Sequence, residues 1–283
     1  TETTTKLLAR FGRLNSQRAN WENHWQEVAD YMMPRKANIT KRRTRGDKRN
    51  ELIFDSSPLQ ALELLAASLH GMMTNPSTPW FTLKFKDALM DQNDEAKLWL
   101  ESVTADMYTA FNRSNFQQEI FELYHDLITF GTAAMYIEED DEDLLKFSTK
   151  HIAEIFIAED DKGRIDTVYR KFTLSARALV QKFGNKVSQN IKVMSEKDPY
   201  QDVDILHCVY PRADFNPKLK DQENMPFESV YLEMGSGDEL SVSGFKEFPY
   251  VVPRYLKASH EIYGRSPAMT ALPDVKMLNE MSK

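Results

Sequence analysis

The hydrophobic residues change their spacing at Gly131, and that change limits the folds open to this chain. Before it, apolar residues recur every three or four positions, as on one face of a helix. After it they alternate, as on a strand with one buried side. The order reads as an α+β fold, with N-terminal helices packed on antiparallel strands. The 283 residues are enough for a sizeable core in one large domain or two smaller ones.

The helical part divides at its breakers. Leu7, Phe11 and Leu14, then Trp21, Trp25, Val28 and Met32, hold helical spacing until Pro34 stops it. In Ser57-Pro58-Leu59-Gln60 the spacing predicts an N-cap serine, a proline at the first helical position and a glutamine completing a capping box. Leu62, Leu65, Leu69 and Met72 would form that helix's buried face, ending at Gly71 and Asn75-Pro76. A third helix over 93–112 carries Trp99, Val103, Met107 and Phe111. A fourth buries Phe116, Ile120, Leu123 and Leu127 and stops at Gly131.

Strands are expected over 132–137, 144–149, 152–158, 164–172, 203–210, 228–234, 240–245 and 250–255, with a short helix over 174–183. Near the end, Ser266-Pro267 begins a helical turn. Pro273 would restart a helix carrying Val275, Leu278 and Met281, with no stop signal before Lys283. The expectation is that the chain is part of a longer polypeptide. It divides into 1–50 (helix and basic arm), 51–265 (α+β region) and 266–283 (the start of a long helix).

Composition narrows the function. Lys plus Arg number 36 against 43 Asp plus Glu, a net charge of −7, whereas gripping nucleic acid over a whole surface needs a basic face. The most apolar stretch, 127–137, runs to about 11 residues against roughly 20 for a membrane span. The first residues hold no apolar core of a secretory signal. Cys208 is the lone cysteine, which rules out intrachain disulfides and multi-cysteine zinc sites.

No catalytic constellation emerges. His24, His70, His125, His151, His207 and His260 lack metal-ligand spacing, and His207-Cys208 on a strand would point to opposite faces. Gly264-Arg265-Ser266-Pro267-Ala268 is like a nucleophile elbow but lacks its second glycine. Its proline offers no N–H to an oxyanion hole. There is no phosphate-cradling glycine loop and no cofactor is expected.

Two charged segments are candidate interaction sites. One is the basic stretch Arg35, Lys36, Lys41, Arg42, Arg43, Arg45, Lys48 and Arg49, read as a loop or arm for an acidic partner or nucleic acid. It has no aromatic to stack on bases. The other is the acidic run Glu138, Glu139, Asp140, Asp141, Glu142 and Asp143, read as a solvated tip between strands. A metal-dependent nuclease using that run, or a DNA-binding module using the basic arm, are the alternative functions.

Several segments taken in order carry a likeness to a known family. They are Trp21 and Trp25 with Tyr31-Met32-Met33-Pro34, Ile53-Phe54-Asp55-Ser56-Ser57, Thr74-Asn75-Pro76 with Trp80-Phe81-Thr82-Leu83, and Ser114-Asn115-Phe116. Phe130-Gly131-Thr132-Ala133, Ser243-Gly244-Phe245, Pro249-Tyr250 and Tyr263-Gly264-Arg265-Ser266-Pro267-Ala268-Met269 follow. In these the chain resembles the head-to-tail connecting (portal) proteins of short-tailed, T7-like bacteriophages. The resemblance implies a non-enzymatic subunit of a ring, a dodecamer, at one capsid vertex of the virion. It would be assembled in the host cytoplasm and pass double-stranded DNA in packaging and ejection. Implied partners are the terminase large subunit, scaffolding protein, major capsid protein and tail adaptor, with no membrane. By the same resemblance 51–265 is the wing and 266–283 the start of the stem, with clip, tunnel loop and crown missing. A ring built from head-to-tail contacts needs complementary patches on each subunit, and the basic stretch and acidic run are the candidates. Charge reversal at Arg42, Arg43 and Arg45 would then weaken assembly.

Overall fold

The computed structural model describes residues 2–41, 44, 46–86, 93–216, 218–219, 221 and 224–283, with the backbone alone at 2 and 3. It is an α+β protein whose chain separates into two compact units. One is Thr1–His24 with Ala153–Tyr250, the other Trp25–Ile152 with Val251–Lys283. The first helix, α1 (Glu2–Met32), gives its opening turns to the former and its remainder to the latter.

The first unit is built on a five-stranded antiparallel sheet in sequential order. Its strands are β3 (Ile155–Glu159), β4 (Ile165–Ser175), β5 (Asp202–Pro211), β6 (Phe227–Glu233) and β7 (Glu239–Phe245). Alternation along β5 feeds two cores. Leu206, Cys208 and Tyr210 join Phe156, Tyr169, Val230 and Leu232 under Leu7 of α1. Ile205 joins Phe172 and Leu240 under α5 (Ala176–Phe183) and α6 (Gln189–Lys197), through Leu179 and Ile191. His207 and Cys208 do face opposite ways. Cys208 is wholly buried, while His207 stacks on Tyr231 at 3.9 Å and hydrogen-bonds Ser229 at 2.9 Å.

Arg18, buried on α1, covers the start of β3 and the turn that leads into it. Its guanidinium donates to the carbonyls of Ile155 (2.8 Å) and Ala153 (3.0 Å), pairs with Glu22 and lies 3.7 Å from the Phe156 ring. Edge carbonyls satisfied in this way no longer invite another strand.

The second unit packs α2 (Ser57–Met73) along α4 (Phe116–Phe130), so that His70 meets Gln117 (2.8 Å) and Glu63 meets His125 (3.1 Å), an antiparallel pairing. The hairpin of β1 (Ala134–Asp140) and β2 (Leu144–Lys150), with β8 (Tyr250–Val251) at its far side, forms a three-stranded sheet. Phe116, Ile120 and Leu123 of α4 bury against Met135 and Phe147 of that hairpin. The other helices here are α3 (Asp94–Arg113) and α7 (Pro267–Met281).

α4 also guards the edge of β2. The Asn115 amide accepts from the Phe147 N–H (2.9 Å) and donates to its carbonyl (2.8 Å), and Glu119 accepts from the Thr149 N–H. Asn115→Ala should cost about 1–2 kcal/mol by leaving both Phe147 groups unpaired. Faster amide exchange at Phe147 would register it, and unchanged exchange would deny the role.

Several expectations need correction. Ser57 lies inside α2, the preceding Ser56 caps nothing with its side chain, and Asp55 accepts from the Ser57 N–H instead (2.7 Å). Pro58, Leu62 and Ala66 are buried on α2, while Met72 is 76% exposed. On α3 the fully buried residue is Leu100; of the stripe, Val103 and Phe111 are half-buried, Phe111 against Phe116 and Phe147, while Trp99 is 59% exposed. The acidic run is not all turn, because β1 continues through Asp140. The strand foreseen over 250–255 shrinks to Tyr250–Val251, since Pro253 offers no N–H to a ladder. α6 was not foreseen. Pro273 sits inside one uninterrupted α7 rather than starting a new helix.

Candidate functional site: a helix junction and its charged flank

The end of α4 and the start of α7 meet at two glycines. Gly131 takes the left-handed φ of 75° that ends α4, and its N–H returns to Leu127 (2.9 Å). A Cβ built on Gly131 would collide with the Gly264 carbonyl, and one on Gly264 with the Gly131 carbonyl. Side chains then lock the crossing. Thr132 Oγ1 accepts from the Gly264 N–H (2.8 Å), and Trp25 Nε1 donates to the Phe130 carbonyl (3.1 Å). The Trp25 indole meets Tyr263 edge-on at 5.1 Å.

Ser266 completes the junction. Its hydroxyl donates to the Thr129 carbonyl (2.7 Å) and accepts from the Met269 N–H (3.0 Å), so it is the N-cap of α7. Both hydrogen-bonding roles of this buried hydroxyl are thereby taken, which leaves no activated nucleophile. Farther along α7, Asn279 accepts from the N–H groups of Phe54 (2.7 Å) and Asp55 and donates to the Leu52 carbonyl (2.8 Å).

The basic stretch begins as a tightly held segment. Arg35 grips Glu122 with two 3.0 Å bonds, and Lys36 bridges Glu122 (2.6 Å) and the buried Asp126. Lys41 pairs with Asp30 (3.0 Å), and Arg49 donates to the Arg35 carbonyl. Gln26 of α1 gathers the same segment, donating to the Ala37 carbonyl and accepting from the Ile39 and Thr40 N–H groups. Lys48 is exposed; Arg42, Arg43 and Arg45 lie outside the described residues.

Burial pushes the Asp126 carboxyl up to about 6 against the pull of Lys36, and its Oδ2 has no partner among the described residues. Burial also pushes the Glu122 carboxyl up, but Lys36 and Arg35 outweigh it and hold the group below its ordinary value. Burial lowers the pKa of His125, with Glu63 opposing.

The acidic run lies elsewhere on this unit. Glu138, Glu139 and Asp140 end β1, and 141–143 turn into Leu144 at φ 69°. Asp140 accepts from the N–H groups of Glu142 and Asp143, and Lys146 stands 3.7 Å from Glu138. Among the described residues no three His, Cys, Asp or Glu side chains gather to hold a metal, and no helix is long and apolar enough to cross a membrane.

Arg18, Gln26 and Asp126 escaped the sequence reading. Their signal was there: polar side chains at apolar-face positions of α1 and α4.

A family model described as bacteriophage head to tail connecting protein matches residues 4–283. The probable portal protein of Bordetella phage BPP-1 is 35% identical over 277 residues, covering 96% of this chain and 50% of that protein. The portal protein of Salmonella phage epsilon15 is 35% identical over 284 residues, covering 98% and 51%. The chain spans about half the length of the curated relatives it matches.

Proposed function

The chain belongs to the family of bacteriophage head to tail connecting proteins, and we propose that it is the wing region and the start of the stem helix of a portal subunit. The carrying observation is that family match over residues 4–283. The junction supports it, because two of the motif segments, at Phe130–Ala133 and Tyr263–Met269, meet where α7 departs. On this reading 1–50, 51–265 and 266–283 are helix with basic arm, wing and stem start.

The protein is structural. Copies close head to tail into a ring of twelve at the capsid vertex of the virion, assembled in the host cytoplasm. The ring contacts major capsid protein and scaffolding protein, receives the terminase large subunit and later the tail adaptor, and passes double-stranded DNA. A passage for a polyanion must not hold it, and a net charge of −7 suits that. Chemical energy comes from the motor. The buried, doubly bonded Ser266 fits a chain without catalysis of its own.

The native mass of the full-length gene product, with negative-stain images, tests this. Rings of about a dozen copies with a central hole are expected from closed heterologous contacts. A strictly monomeric full-length protein would overturn the reading.

A further inference from the structure

The segment Phe81-Thr82-Leu83-Lys84-Phe85-Lys86 has the alternation of a strand without a strand's partners. Phe81, Leu83 and Phe85 are half-buried, and Thr82, Lys84 and Lys86 are exposed, as in an extended chain with one face down. Yet it belongs to neither sheet, and among the described residues none of its N–H or C=O groups enters a backbone–backbone hydrogen bond. Hydrogen bonds fix its start, and at its other end Phe85 stacks on Trp99 at 6.3 Å. The Phe81 N–H donates to the Tyr108 hydroxyl (2.7 Å), which donates back to the Phe81 carbonyl (2.9 Å). Beside the segment runs a groove of about 570 Å³ along α3, lined by Phe81, Leu83, Leu100 and Tyr108 together with Lys84, Lys97 and one acid, Glu101. Of the four outer sheet edges, β3 is engaged by Arg18 at Ile155 and β2 by Asn115 and Glu119. An extended segment with open backbone groups next to an apolar groove is the setting for strand addition.

We propose that residues 81–86 and the adjoining groove receive the β1–β2 hairpin tip of a second copy of this chain. This rests on the ring reading above. Charge decides the occupant. Lys84, Lys86 and Lys97 are exposed and enter no ion pair among the described residues. The hairpin tip is their complement. The carboxylates of Glu139, Asp140, Asp141, Glu142 and Asp143 likewise enter no ion pair among the described residues, although Arg113 donates to the Glu142 carbonyl (3.2 Å), and the next residue, Leu144, is 57% exposed and apolar. Arg35, Lys36 and Lys41 of the basic stretch, by contrast, already have acids of their own subunit. Near the tip, moreover, the backbone of β2 lies beyond the caps at Phe147 and Thr149, so it can meet 81–86. The two surfaces are different and sit on one unit, as a head-to-tail contact requires.

The test uses the full-length gene product. Cys208 is buried and is the chain's lone cysteine, so new thiols report cleanly. Lys84→Cys combined with Asp141→Cys should give, on mild oxidation, a ladder of covalent multimers. Either substitution alone should give none. A second arm reverses charge: Lys84→Glu with Lys86→Glu should raise the concentration needed for ring formation by about tenfold or more, since like charges would then face each other. Adding Glu139→Lys and Asp141→Lys should restore it. Rings that form normally in both arms, with no ladder, would overturn this contact and leave the ring reading standing. A wild-type protein that forms no rings would overturn both.

Discussion

Replacing Gly264 by alanine is expected to lower the melting temperature by roughly 2–12 °C, and Gly131→Ala by more, roughly 4–20 °C. At Gly264 the new methyl would meet the Gly131 carbonyl and lie 3.0 Å from Arg254 Cβ, so backbone must move and not merely a side-chain tip. At Gly131 the same collision adds to a φ of 75°, which by itself costs an L-residue roughly 1–2 kcal/mol. Overpacking contributes about 1–3 kcal/mol more, and each kcal/mol moves the melting point of a domain this large by about 2–4 °C. The crossing cannot loosen locally, because Trp25, Thr132 and Ser266 tie it through hydrogen bonds.

Two other glycines supply the control. Gly12 and Gly71 sit in α1 and α2 with open space around a built Cβ and no positive φ. Alanine there should stabilise by about 0.5–1 kcal/mol. Melting curves of the four variants decide the matter. If all four behaved alike, the junction would not be the constraint described.

These glycines also show how far one sequence can be read. α4 was legible almost whole, because Phe116, Ile120 and Leu123 keep helical spacing and Gly131 is a local stop signal. The junction was not. Gly131 and Gly264 both stood out in the sequence as parts of family-like segments, but no periodicity says that residues so far apart touch. α3 teaches the converse. Trp99, Val103, Met107 and Phe111 form a true stripe, yet the fold covers its Phe111 end and the neighbouring Leu100 and leaves Trp99 exposed. Spacing identifies an apolar face; only tertiary packing decides whether it is covered. α6 was missed because Ser188, its N-cap, is followed by a short polar helix with Ile191 as its one buried residue.

The candidate site divides the same way. The charged segments were visible as composition, but the use of their charges was not. Arg35 and Lys36 look like a free basic patch in sequence and serve as counterions to α4 in the fold. Asp126 gave a faint signal, an acid beside Leu123 and Leu127, and it became the most deeply buried charge of the segment's anchor.

Lys36→Met should accordingly destabilise the chain by about 3–5 kcal/mol at pH 8, the usual cost of stripping one partner from a buried pair. Glu122 would keep Arg35, whereas Asp126 would keep no donor among the described residues. The deficit should shrink on acidification. The carboxyl of Asp126 is raised from 3.8 to about 6, so between those values the folded state holds the proton more tightly than the unfolded one. Its ionised form therefore costs roughly 3 kcal/mol above pH 6, and the cost fades as pH falls toward 4. Without Lys36 the carboxyl rises further and takes up its proton at higher pH. Asp126→Asn should remove this dependence and rescue Lys36→Met by about 2 kcal/mol, the coupling expected of contacting residues. His125 acts in the opposite sense. Its lowered pKa supports stability above about 6.5 that is lost on acidification, and because the Asp126 charge opposes that lowering, Asp126→Asn should enlarge this loss while Lys36→Met leaves His125 facing Asp126. Calorimetry of the wild type, both single variants and the double at pH 5 and pH 8 reads all of this. A deficit equal at both values, with no rescue, would mean that Lys36 contributes only the packing of its aliphatic stem.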